Sequence, residues 1–143
     1  MTAKASSADY IVWRDGTVAV MTEVIFPFYE AKAERELDRL CGGRLSSVSI
    51  VGEVATIVID DVTETLVLDD IKGAICEIAE FLYQVEQLRA LGLVSFSNDG
   101  QSGSYDQSKL TAAGRQKEIR MIAKSYLAGT VLLHAGVTDL WHG

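Results

Sequence analysis

Ile71, Ile75, Ile78, Leu82, Val85 and Leu88 recur at intervals of three or four residues, which places all six on one face of a helix. The segment holds no proline and Gly92 closes it, so a helix over about Asp70 to Leu91 is expected. Asp69 and Asp70 are expected to cap its start, and Gly73 to be a minor weakness within it. So long an amphipathic helix is stable only where other elements cover its apolar stripe. Two further segments share its period. One opens between Thr22 and Pro27 and runs to Cys41, with Tyr29, Ala33, Leu37 and Leu40/Cys41 on one face. Glu30, Glu34, Arg35, Asp38 and Arg39 take its other faces, and Gly42-Gly43 ends it. The other runs from Ser108 or Thr111 to Leu127, with Ile119, Ile122, Ala123, Tyr126 and Leu127 inward and Gly129 as its break.

Residues 46–68 follow a different rule. Ser47-Val48-Ser49-Ile50-Val51, Gly52-Glu53 and Val54-Ala55-Thr56-Ile57-Val58-Ile59 are rich in β-branched residues around a glycine turn, the pattern of a β-hairpin. Two strands alone are marginal in water and need a covering helix or a strand from another chain. The fold class expected is therefore mainly α. It is a small helical bundle of three principal helices, with a β-hairpin or extended loop inserted between the first and second long helices. Residues 1–143 are expected to form one domain, with 1–9 a flexible lead-in and 128–143 an apolar docking tail. Tyr10-Ile11-Val12-Trp13 is an apolar patch before Asp15-Gly16, readable as a helical turn or a brief strand.

Of the residues, 48% are apolar and 23% charged, ordinary for a globular protein and unlike a disordered one. No apolar run reaches the roughly 18 residues of a membrane span, and the polar start Met1-Thr2-Ala3-Lys4-Ala5-Ser6-Ser7 lacks the apolar core of a secretion signal. A cytosolic product without membrane contact is expected. The net charge of −7 disfavours indiscriminate binding to nucleic acid. That charge is unevenly spread. Asp60, Asp61, Glu64, Asp69, Asp70, Glu77, Glu80 and Glu86 face Lys72 alone, whereas Lys109, Arg115, Lys117, Arg120 and Lys124 face only Glu118. Such halves can neutralise each other within one fold or between copies. Glu77 and Glu80 against Arg115, Lys117 and Arg120 are the candidate pairs between subunits.

Motifs that carry chemistry are scarce. Cys41 and Cys76 fall singly on helical stripes, without the paired spacing of a zinc site, and are expected to be buried free thiols. No phosphate-binding glycine motif is present. Gly100-Gln101-Ser102-Gly103-Ser104 lacks the spacing of a nucleophile elbow, and Asn98-Asp99-Gly100 with Asp106 lacks the order of a calcium loop. Asp60-Asp61 reads as a strand end, and His134 and His142 lie together in the tail. No catalytic residue, cofactor or metal is expected. Two surfaces look made for contact. One is the loop around Ser97, Asn98, Asp99, Gly100 and Tyr105, too polar for a core. The other is the tail with Leu132, Leu133, His134, Val137, Leu140 and Trp141, too apolar to remain exposed.

The order of several short motifs carries a resemblance. Thr22-Glu23-Val24-Ile25-Phe26-Pro27 leads to Ala33 and then to Leu37-Asp38-Arg39-Leu40-Cys41-Gly42-Gly43-Arg44-Leu45. Ile71-Lys72-Gly73-Ala74-Ile75-Cys76-Glu77-Ile78-Ala79-Glu80 follows, then Ser95-Phe96-Ser97-Asn98-Asp99-Gly100-Gln101-Ser102-Gly103-Ser104-Tyr105. The last is Tyr126-Leu127-Ala128-Gly129-Thr130-Val131-Leu132-Leu133-His134-Ala135-Gly136-Val137. In this order the chain resembles the head–tail connector (adaptor or head-completion) proteins of long-tailed phages. It departs from them at Asp15-Gly16, where a glycine pair is usual, and at His134-Ala135, where Tyr-Arg is usual. Its β-branched stretch is also longer. The resemblance implies a structural virion protein that forms a twelvefold ring of copies of itself below the portal protein. Such a ring extends the DNA channel and presents a platform to a stopper or tail-completion protein. A small helical interaction or regulatory module is the alternative reading, and an enzyme the weakest.

Overall fold

A computed structural model describes residues 3–90 and 111–133. Helix α1 spans Ser7–Arg14 and begins at a reciprocal cap. The Asp9 amide donates to the Ser6 hydroxyl at 3.2 Å, and the Ser6 amide donates to the Asp9 carboxylate at 2.9 Å. Two amides orphaned by the helix start are thus satisfied together. The expected flexible lead-in is corrected here: Ala5 is buried and Ser7, Ala8 and Asp9 are helical. The Tyr10–Trp13 patch is helix and not strand, and Tyr10 stacks on Phe26 with ring centroids 4.8 Å apart.

Helix α2 spans Phe26–Leu40 and follows a turn in which the Ile25 amide donates to the Thr22 hydroxyl. Pro27 occupies its first turn, where a missing amide hydrogen costs nothing. At its end the Gly43 amide donates to the Asp38 carbonyl and the Gly42 amide to the Arg39 carbonyl, with both glycines at positive φ. The Asp38 carboxylate then accepts from the amide and hydroxyl of Ser46, fixing the exit of the chain through a short 3-10 turn, Leu45–Ser47.

Three antiparallel strands follow in the order β1-β2-β3: Ser49–Val51, Val54–Ile59 and Val62–Leu66. The expected hairpin is therefore a meander with one more strand. Asp60 and Asp61 form the second turn, not merely a strand end, with φ of 52° and 68°. Positive φ at both central residues matches the twist of the strands they join. Ala55, Ile57 and Leu66 turn inward and are buried, whereas Val51, Val54 and Val58 stay exposed on the far face.

Helix α3, Leu68–Ala90, is the spine of the fold and packs against α1, α2 and α4. Asp69 and Asp70 lie within its first turn, where carboxylates meet the positive helix end, instead of preceding it. Because three helices cover it, its buried arc is wider than the six-residue stripe and takes in Ala74, Cys76 and Ala79. Helix α4, Ala112–Leu127, is capped by the Thr111 hydroxyl, which accepts from the Gly114 amide at 3.0 Å. Its inward residues are those the period predicts, with Tyr126 half-buried. Both cysteines are buried and free, and burial pushes each thiol up to about 12, far from reactive thiolate.

Gly73 is more than a weak helix former. A Cβ at this position would stand 2.5 Å from Cε1 of Tyr126. The glycine leaves room for that ring where α4 packs against α3. Gly73→Ala should therefore lower stability by about 1–2 kcal/mol, although alanine ordinarily gains about 1 kcal/mol in a helix interior. In a Tyr126→Ala background the same change should become stabilising, a reversal of sign readable from urea unfolding midpoints.

Candidate functional site

Three charged groups of α3, Lys72, Glu77 and Glu80, serve the fold. Glu80 pairs through Oε1 with Nη1 of Arg14 at 3.0 Å, and its Oε2 accepts from the Tyr10 hydroxyl at 2.6 Å. Glu77 Oε1 accepts from the Tyr126 hydroxyl at 2.9 Å, and the Tyr126 oxygen accepts from Nε1 of Trp13 at 3.1 Å. Lys72 adds an ion pair with Asp9 at 3.0 Å. Burial works against the Asp9 charge, but the Ser6 hydrogen bonds and the Lys72 ammonium outweigh it and hold the carboxyl below its usual range. Together these contacts bolt α1 and α4 onto α3. The carboxylates of Glu77 and Glu80, expected to pair with a neighbouring copy, thus have hydrogen-bond partners within the chain.

The cationic partners divide into two groups. Lys117 and Arg120 are exposed on α4. Arg115 is half-buried and lines a groove of about 340 Å³ formed by α2, α3 and α4, together with Lys32, Arg35 and Arg89. The two carboxylates of that groove are occupied. Glu86 binds Lys32 at 2.8 Å and accepts from the Tyr29 hydroxyl at 2.7 Å; Glu36 binds Arg39 at 2.7 Å and accepts from the Gln116 amide at 3.2 Å. Burial disfavours the Glu86 charge, yet Lys32 and Tyr29 prevail and keep that carboxyl below its ordinary value. Arg35, Arg89 and Arg115 have no ion-pair partner among the described residues. The groove thus carries an excess of positive charge on an acidic chain.

Leu132 and Leu133, expected on a docking surface, are buried in the core of the domain itself. In the isolated chain these two side chains are covered by the domain's own core. His134, Val137, Leu140 and Trp141 lie outside the described residues, as do Ser97, Asn98, Asp99, Gly100 and Tyr105.

A carboxyl pair on α2 escaped the sequence reading. Glu30 is 1% exposed and accepts from the Ala5 amide at 3.2 Å, while Glu34 accepts from the Lys4 amide at 2.7 Å. Burial, and then the adjacent Glu34 carboxyl, push Glu30 up to about 8, against the opposing pull of the Ala5 and Lys4 amides. A cleft of about 570 Å³ runs beside the pair between the N-terminal segment and α2. The period of α2 put Glu30 on a polar face; the cover supplied by residues 3–5 makes it a buried one.

Among the described residues no group of His, Cys, Asp and Glu side chains is arranged to hold a metal ion, and no helix is long and apolar enough to cross a membrane. No family model, curated protein or solved structure matches the chain.

Proposed function

We propose that this chain is a structural connector of a tailed-phage neck, assembled as a ring of identical copies below the portal and catalysing nothing. In this reading α2, α3 and α4 form a bundle that carries the three-stranded meander as an insertion. The ring prolongs the DNA channel and offers its lower rim to a stopper or tail-completion protein. The motif order along the chain supports it, and one structural observation carries it furthest. The outer face of the meander exposes Val51, Val54 and Val58, at 75%, 54% and 61%, between two strand edges that no described residue pairs. Exposed β-branched faces with open edges are surfaces that soluble monomers avoid. A neighbouring copy would cover this one.

The remaining surface suits the role. A predominantly acidic chain slides past DNA without gripping it, since phosphate contacts are what make nucleic acid adhere. Cyclic assembly joins two different patches of each copy, and a chain with one acidic and one basic region supplies such a pair. The test is electron microscopy of portal-bearing heads incubated with the purified, epitope-tagged chain and an antibody to the tag. A ring of labelled density at the portal vertex is expected. Unlabelled vertices beside a folded, monodisperse protein would favour a small interaction module instead.

A further inference from the structure

Among the described residues, neither the arginines of the groove nor the aspartate turn of the meander makes an ion pair. We infer that the groove lined by Arg35, Arg89 and Arg115 receives the Asp60-Asp61 turn of a neighbouring copy. The inference rests on the ring reading above and gives its subunit contact an address.

Shape and charge both support the match. Asp60 and Asp61 are exposed at the tip of a tight two-residue turn, a convex element that presents two carboxylates side by side. Among the described residues neither has an ion-pair partner within its own chain. The receiving groove is concave and its own acids are engaged, Glu86 by Lys32 and Glu36 by Arg39. An incoming carboxylate therefore meets guanidinium groups that make no ion pair among the described residues, with Arg89 held only in the longer-range field of Glu86. Arginine offers a planar fork of donors that matches a carboxylate with two parallel hydrogen bonds.

The placement of the two elements fits a head-to-tail contact. β3 enters α3 through Val67, so the meander is attached where α3 begins. The groove uses α3 from Leu82 to Arg89, which starts about 21 Å further along the helix axis at 1.5 Å per residue. The strand that carries the tip is tied to the start of α3 and the socket lies towards its end, so tip and socket are different patches of one copy, as a cyclic assembly requires. Lys117 and Arg120, exposed on α4, extend the positive field around the socket and steer the approach.

Two full-length variants test this by sedimentation velocity across a concentration series, at low and high salt. Asp60→Lys/Asp61→Lys reverses the tip, and Arg35→Glu/Arg115→Glu reverses the socket. Each alone should weaken self-association at least tenfold relative to the unaltered chain. Mixed in equal amounts, they should recover association, because each reversed tip meets a reversed socket and each native tip a native one. High salt should weaken both the unaltered chain and the mixture. Circular dichroism of each variant establishes that it is folded, and recovery in the mixture excludes misfolding as the cause of the loss. If the unaltered chain assembles and both variants assemble equally well, this contact is wrong while the ring reading stands. If the variants fail and the mixture does not recover, the pairing is overturned. If the unaltered chain remains monomeric throughout, the pairing is overturned in solution, and labelled portal vertices then decide the ring reading by themselves.

Discussion

Glu80→Ala is expected to destabilise the domain by about 2–4 kcal/mol, because it leaves a half-buried guanidinium and a buried hydroxyl without their common acceptor. Breaking a fully buried ion pair by removing one partner costs roughly 3–5 kcal/mol; the figure is reduced here because the Arg14 side chain retains 22% of its exposure. The Tyr10 hydroxyl has three partners: it donates to Glu80 and accepts from the Val20 and Met21 amides at 3.1 and 3.2 Å. Glu80 thus fixes the phenol that fixes residues 20 and 21, which lead into α2. Burial and the Glu80 carboxylate both raise the Tyr10 hydroxyl above its usual range, so it remains a donor at every physiological pH. Glu80→Gln keeps an acceptor for Tyr10 and loses only the charge opposite Arg14, so it should cost about half as much. Tyr10→Phe should act on the same network, and the double variant Tyr10→Phe/Glu80→Ala should lose less than the sum of its parts. Urea unfolding gives the energies. Limited proteolysis between Asp15 and Val20 should accelerate in Glu80→Ala, as α1 loosens from α3. A Glu80→Ala protein with unaltered unfolding but impaired assembly would return this residue to the subunit interface.

The elements visible in the sequence are those whose burial repeats along a single helix. The stripes of α2, α3 and α4 were legible because one covered face imposes its own period, and Gly42-Gly43 and Thr111 marked their ends by local chemistry. β3 was harder to see. Val62-Thr63-Glu64-Thr65-Leu66 buries only Leu66, so it lacks the apolar alternation that made β2 plain. The available signal was a pair of aspartates between two β-branched runs, which the two-residue hairpin rule accepts. Helix α1 was announced by Ser6 and Asp9 at capping-box spacing, but eight residues give periodicity little to work with. Glu77 and Glu80 could not be assigned from spacing alone, because their partners Arg14, Tyr10 and Tyr126 come from far along the chain. Asp60-Asp61 and the groove became a matched pair only when the fold placed Arg35, Arg89 and Arg115 around one hollow.

Stability should fall as the pH rises from about 4.5 to 8, and Glu30→Gln should abolish that fall. Glu30 is the reason. Its folded value of about 8 lies above the 4.5 of an unperturbed chain, so between these values the folded state holds a proton that the unfolded state has released. The native state then loses ground with each pH unit, by at most about 1.4 kcal/mol. The effect is complete below pH 4.5 and exhausted above 8. Water reaching the adjoining cleft tempers the total to the order of 3 kcal/mol. Asp9 and Glu86 act in the opposite sense: their folded values are lowered, so their contribution is present above the unfolded value and is lost as the pH falls below about 4. The two effects leave a stability maximum near pH 5. Glu30→Gln is nearly isosteric and neutral at every pH, and its amide can donate to Glu34 as the protonated acid does. The variant should match the unaltered chain at pH 5 and exceed it by the order of 3 kcal/mol at pH 9, measured by urea unfolding at each pH. The same ionisation sets Glu30 against the neighbouring Glu34 in a buried site. This repulsion, with the pull of water on the new charge, should open the Lys4–Ala5 lid even though each amide bonds well to a charged carboxyl. Hydrogen exchange at those two amides should therefore speed up above pH 8, beyond its ordinary dependence on hydroxide, in the unaltered chain and not in Glu30→Gln. Parallel stability profiles for the two proteins would mean that Glu30 is charged in the fold and that a cation or water, not a retained proton, makes its burial tolerable.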